Sequence, residues 1–274
     1  VLAGRHKVDI LAHFYQRAEI KAVADFVGGS YEVVEKALAA GPGRRVLICG
    51  ASFMVEAAQA GRPRAEIWTP RTDLSCPLAE AVGPEAVEEA RRRFPRARVV
   101  VDLKARPEIR ALADLEISPA TAAERLSRLA GAPILALPGP QLVDWAGFGD
   151  QVVWRWPRAV CQVHELATAD DLAEARDRHP GAPVAVNLLC RPEVRAGADF
   201  VGDSAGLGRF CAESPARDFI IVSEAGLAEF LTLSRPDKNF HETEAEIFCP
   251  NMKLTNLKAV IDRLKTLEGG GEAF

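Results

Sequence analysis

The chain has 274 residues, 48% apolar and 26% charged, with a formal net charge of −4. That mixture excludes a disordered, a collagen-like or a coiled-coil chain, and the acidic balance speaks against a nucleic-acid coat or an anionic-membrane binder. No apolar run approaches the ~18 residues of a bilayer span. The opening stretch VLAGRHKVDILAHFYQ has no apolar core followed by a small-residue cleavage site, so it does not read as a signal peptide and the cytoplasm is expected. Val1 stands where an initiator Met is expected, which suggests trimming.

In chain order the first element is a strand-like run, VDILAHFY (8–15), followed by a helix start, RAEIKAVADFVGGS (17–30). A second strand, RRVLICG (44–50), a second helix and the segment EIWTPRTDLSCPLAEAV (66–82) complete the series. The series then recurs. ARVVVDLK (97–104), RPEIRALADLEIS (106–118), APILALPG (132–139) and VVWRWPRAVCQVHELA (152–167) follow in the same order. It recurs again as APVAVNLL (182–189), RPEVRAGADFVGDS (191–204), FIIVSEAG (219–226) and AEIFCPNMKLTNLKAV (245–260). The shared frame R-(A/P)-E-(I/V)-(K/R)-A-x-A-D-(F/L) starts at Arg17, Arg106 and Arg191, at spacings of 89 (106 − 17) and 85 (191 − 106). A generic amphipathic helix explains the alanines and charges but not the spacing. The expected fold is therefore α/β, with three homologous domains of parallel sheet about a pseudo-threefold axis. Their spans are 1–96, 97–181 and 182–274, and the last helix of the first is free to pack on a neighbouring repeat.

Six cysteines occur, with no CxxC pair. Cys76, Cys161 and Cys249 fall at one place in each repeat, 85 (161 − 76) and 88 (249 − 161) positions apart, each just before an expected helix. A helix N-terminus favours thiolate. Three such ends around an axis would bring three thiolates to one point, fit for zinc with an open position or for an iron–sulfur cluster with one iron left over. Cys49, Cys190 and Cys211 have no repeat partners and read as buried residues. His164, three residues after Cys161, reads either as a neighbour of the site or as a local cap.

These residues resemble a family. HFYQ (13–16), ADFVGGS (24–30), SCPLAEAV (75–82), CQVHE (161–165), ADFVGDS (198–204) and CPNMK (249–253) are similar to the motifs of quinolinate synthase, over about Ile10 to Leu267. The resemblance implies three α/β domains about a pseudo-threefold axis and one [4Fe–4S] cluster on Cys76, Cys161 and Cys249. It also implies condensation of iminoaspartate with dihydroxyacetone phosphate to form a pyridine ring. Tyr15 is then the candidate acid–base residue, His13 a substrate-bonding or proton-transfer group, and Glu224, in Ser223-Glu224, matches the family's Thr-Glu. Ser30, Ser204 and Ser223 are candidate anion donors, or else helix N-caps.

The strand ends four and two positions before each frame Arg line the site in such a family. His13 and Tyr15 keep its His-x-Tyr. Asp102 and Lys104 stand where the family has Tyr-x-Asn, and Asn187 and Leu189 where it has His-x-Glu. Asp203 adds a negative charge beside Ser204, and Lys104 a positive one able to meet Asp102, Asp203 or an anionic substrate. Scaffold and cysteines are intact while the pocket is rebuilt, so altered substrate or chemistry on a small polar, anionic molecule is expected: a dehydration or a condensation–cyclisation. An unaltered quinolinate synthase and a non-catalytic iron–sulfur sensor are the alternatives. No nucleic-acid or membrane partner is expected, and the oligomeric state is open.

Overall fold

The computed structural model describes residues 8–129 and 131–268. Residues 1–7 and 269–274, which hold part of the opening stretch and the ends of the first and third expected domains, lie outside the described residues. In the first repeat β1 (Val8–His13) leads to α1 (Ala18–Val23), β2 (Phe26–Gly28), α2 (Ser30–Leu38), β3 (Arg45–Cys49), α3 (Ser52–Ala60) and β4 (Glu66–Trp68). Next come α4 (Pro84–Arg93), β5 (Arg98–Val101), α5 (Pro107–Arg110), β6 (Leu115–Glu116), α6 (Ala122–Ser127), β7 (Ile134–Leu137) and α7 (Gln141–Trp145). Last come α8 (Ala169–Arg178), β8 (Val184–Asn187), α9 (Pro192–Ala196), β9 (Phe200–Gly202), α10 (Ser204–Glu213), β10 (Asp218–Val222), α11 (Ala225–Ser234), β11 (Asn239–Glu242), α12 (Pro250–Lys253) and α13 (Leu257–Glu268).

The strands form three parallel sheets, ordered β2-β1-β3-β4, β6-β5-β7 and β11-β10-β8-β9. Read from the same end these are one order, the second sheet's fourth strand being a single bridge from Ile134 to Val152. The fold is thus α/β with three parallel sheets, one per sequence repeat.

The frame does not stay helical to its end, as its alanines suggest. Its helix stops at Val23, Arg110 or Ala196 and the following residues become the short strands β2, β6 and β9. The frame Asp causes this. Asp25 Oδ2 accepts the Ile10 N–H at 2.8 Å, Asp114 Oδ2 the Val99 N–H at 2.7 Å and Asp199 Oδ2 the Val184 N–H at 2.8 Å. Each Asp also donates its own N–H back to the same residue's carbonyl. A short carboxylate that captures a neighbouring backbone group competes with helix continuation.

The chain forms two compact units. The first holds residues through Cys76 with Glu224–Asp237 and the stretch from Phe248, and the second holds Pro77–Ser223 with Lys238–Ile247. In the first, Val8, Ile10, Ala12, Leu47, Cys49 and Trp68 are covered by Val260 and Leu264 of α13. In the second, Leu172 and Ala175 of α8 join Val184, Val186 and Ile220 in one core. There too, α4 lies on the second repeat, where Arg91 Nη2 donates to the Leu112 carbonyl at 2.6 Å. Two of the repeats' last helices therefore cover another repeat's strands, α8 those of the third and α13 those of the first, while α4 bonds to the second repeat beside α5.

Candidate functional site

In parallel α/β sheets ligands gather outside the carboxyl ends of the strands. The expected site residues lie there: His13 ends β1, Asp102 follows β5, Asn187 ends β8, and Ser223 and Glu224 follow β10. Ser30 and Ser204 are the first residues of α2 and α10, two residues past the ends of β2 and β9.

The three strand ends share one local turn. The side chain four before the frame Arg accepts the backbone N–H two residues on: His13 Nδ1 from Tyr15 at 3.1 Å, Asp102 Oδ1 from Lys104 at 2.8 Å, Asn187 Oδ1 from Leu189 at 3.0 Å. Any acceptor of suitable reach closes this turn, so His, Asp and Asn serve alike. Since His13 Nδ1 accepts, its neutral ring carries the proton on Nε2. The His13 and Tyr15 rings meet edge-on with centroids 4.4 Å apart, and both are buried.

At the second strand end Lys104 Nζ lies 2.6 Å from Asp102 Oδ2, a pair whose charges compensate each other. Of the partners open to Lys104, the structure selects Asp102. At the third, the Asn187 amide donates to Ser204 Oγ and to Ser223 Oγ, each at 3.3 Å. Leu189 packs, partly buried, on the apolar core around Val100, Ala136 and Leu142. This end carries hydroxyls and an amide, with no titratable side chain at its two pattern positions.

None of the three serines is an N-cap. Gly29 caps α2, Asp203 caps α10 through the Gly206 N–H at 2.8 Å, and Glu224 caps α11. Asp203 is thereby held at a helix N-terminus, where a carboxylate is favoured.

The expectation that each late cysteine precedes a regular helix needs correction. Cys249 caps only the four-residue α12, Cys161 is followed by a turn and a 3₁₀ turn at His164–Leu166, and Cys76 by a turn over 77–80. A new start cuts each short: Gly83-Pro84, the Thr168 cap of α8, and Thr255-Asn256. Individual N–H groups replace the helix dipole. At Cys161 the Val163 and His164 amides oppose the burial that pushes its thiol above the ordinary range, and Lys104's charge assists them. His164, 1% exposed, places Nδ1 at 3.1 Å from Cys161 Sγ, so it belongs to the cysteine's surroundings.

All six cysteines lie outside any disulfide; Cys76, Cys161 and Cys249 are partly exposed, Cys49, Cys190 and Cys211 buried. Burial pushes the Cys49 and Cys190 thiols up to about 12, as inert core cysteines require. The frame Arg also holds cysteine segments. Arg17 Nε donates to the Lys253 carbonyl at 2.6 Å and Arg191 Nε to the Glu165 carbonyl at 2.9 Å, each four residues past a cysteine. Sequence reasoning missed this role, as it missed the frame Asp. The signal was their recurrence in all three frames. It also missed Lys253, which was visible only as a letter of the CPNMK signature.

The geometry defines a class: a triplicated parallel α/β protein with polar side chains at the carboxyl ends of its sheets and one partly exposed cysteine in each repeat. The family profile described as quinolinate synthetase A protein matches residues 2–271. A quinolinate synthase of Methanoregula boonei is 36% identical, over 94% of this chain and 85% of its own. One of Thermodesulfovibrio yellowstonii is 33% identical over 93% and 84%, and one of Clostridioides difficile 31% over 94% and 85%. The chain belongs to the quinolinate synthase family.

Proposed function

We propose that the protein is a [4Fe–4S] enzyme of this family acting in the cytoplasm on a small polar, anionic substrate, by dehydration or condensation–cyclisation, with substrate or chemistry changed from the family's own. Cys76, Cys161 and Cys249 would hold the cluster. Three partly exposed cysteines, one of them with the Val163 and His164 N–H groups at its sulfur, suit it as a donor set. Among the described residues no three His, Cys, Asp or Glu side chains are grouped to share one metal ion. When bound, such a cluster supplies a Lewis-acidic iron without a protein ligand.

Tyr15 exchanges protons with substrate and His13 orients it, donating from Nε2. Ser204 and Ser223, bridged by Asn187, bind polar or anionic groups, with Ser30 as the corresponding donor of the first repeat. The paired Lys104 and Asp102 bound the pocket without net charge. The observation that carries the altered chemistry is the third strand end, where the amide is engaged with two hydroxyls and Leu189 is drawn into packing. A general acid or base contributes about 10²–10⁴-fold, so cluster-loaded protein should form little quinolinate from iminoaspartate and dihydroxyacetone phosphate. Restoring the pair as Asn187→His with Leu189→Glu should raise that rate, and Tyr15→Phe should abolish turnover of the true substrate while iron content stays. The relatives' names favour a second reading, unaltered quinolinate synthesis. Robust quinolinate formation by the unmodified protein would establish it and sink the first.

A further inference from the structure

Glu224 is 0% exposed, and both its carboxylate oxygens are engaged. Oε2 accepts the Gly226 N–H at 2.8 Å; Oε1 lies 3.2 Å from the Cys249 N and 2.9 Å from Lys253 Nζ. Lys253 Nζ in turn donates to the Tyr15 carbonyl at 2.7 Å. One carboxylate–ammonium pair therefore joins the backbone of a cysteine to the backbone of the tyrosine turn. Further bonds brace it. Asn251 Nδ2 reaches the Ser75 carbonyl at 2.7 Å, beside Cys76, and Lys21 Nζ the Gly226 carbonyl at 2.8 Å. There is no slack: a Cβ on Gly226 would lie 2.6 Å from the Phe14 carbonyl oxygen and 2.8 Å from Glu224 Oε2.

We propose that Glu224 and Lys253 are positioning residues, a buried ion pair that sets Cys249 and the Tyr15 turn in one geometry, so that cluster and acid–base group are placed together. Glu224 then acts through its neighbours and not on substrate. The proposal deepens the cluster-enzyme reading and rests on it for the roles of Cys249 and Tyr15. It also gives a physical reason why HFYQ, with Arg17 after it, and CPNMK occur in one chain, since Arg17 and Lys253 each bond to the other's segment.

Removing one partner leaves a buried charge, whereas replacing both is often tolerated. The test therefore uses Glu224→Gln with Lys253→Met, and Gly226→Ala as an uncharged wedge into the same contacts. In apoprotein, peptide mapping after iodoacetamide should show Cys249 modified about tenfold faster in either variant, equivalent to about 1.4 kcal/mol of lost local restraint, with Cys161 unchanged. In loaded protein, the electron paramagnetic resonance g-values of the reduced cluster should shift at unchanged iron content. Unmoved Cys249 kinetics and g-values in a variant with native circular dichroism would overturn the proposal. Should the unmodified protein take up no cluster, that reading falls, while the alkylation rates still decide the ion pair's role.

Discussion

Asp25, Asp114 and Asp199 each join the start of a repeat's first strand to the residue where its helix ends. Removing one such acceptor leaves a strand N–H without its bond, at about 1–3 kcal/mol. Asp199→Ala should lower the denaturant midpoint accordingly, and Asp199→Asn, which keeps an acceptor oxygen, should lower it less. The cysteines make a second prediction at this scale. Cys76→Ala, Cys161→Ala and Cys249→Ala should each lose most of the bound iron and its absorbance, while Cys49→Ala, Cys190→Ala and Cys211→Ala keep it. Iron loss on changing Cys190 but not Cys161 would reverse the ligand assignment. In apoprotein near pH 8 the Cys190 thiol, pushed up to about 12, should resist alkylation. When Cys161 is a thiolate, as a metal would hold it, its sulfur only accepts in the His164 contact, so Nδ1 then carries the proton, the opposite tautomer from His13.

Among elements, the junction of α8 with β11 carries a pH response. His179, just past α8, stacks on His241 of β11 with centroids 3.6 Å apart, and His241 Nε2 lies 3.1 Å from Asp218 Oδ1. Partial burial, then His241 and Arg178, hold the His179 imidazole below its ordinary range. The folded chain thus takes up this proton less readily than the unfolded one. The resulting stability is present above the unfolded value of about 6.5 and is lost as pH falls through the lower folded value. Urea midpoints at pH 7.5 and 5.5 should differ more for the unmodified protein than for His179→Asn; equal differences would remove the junction from the acid response. The long strands and the frame helix starts were legible in the sequence, because β-branched runs and the Arg-(Ala/Pro)-Glu start state them locally. The short strands β2, β6 and β9 were not, since the Ala-Asp-(Phe/Leu) tail carries helical spacing and only the Asp contact with the preceding strand stops it. The cysteine turns misled similarly: Pro77 and Pro250 mimic a helix's first position, but the next cap follows within a turn or two. Of the candidate site, the strand-end positions were legible from repeat offsets. The neutralised Lys104–Asp102 pair and the buried Glu224–Lys253 pair were not, because each depends on which of several possible partners the fold brings near.

At the scale of the whole molecule, the repeats are not self-contained beads. Their last helices are passed forward, α4 to the second repeat and α8 to the third, and α13 returns to the strands of the first. A charge at Leu264, which is 5% exposed against that first core, attacks residues two hundred positions away in sequence. Leu264→Asp should cost at least the ~2–5 kcal/mol of emptying a buried leucine site. Hydrogen exchange should speed up in β1 and β3 and stay slow in β5, β7 and β8; uniform acceleration would deny the local coupling. The same arrangement sets a clock for biosynthesis. At ~5–20 residues per second of translation, the stretch from Val8 to Leu257 takes about 12–50 s to emerge. Through that interval β1 and β3 wait with an apolar face uncovered, so strands made early are completed only when α13 emerges, and a nascent chain stalled before α13 is a ready client for a chaperone.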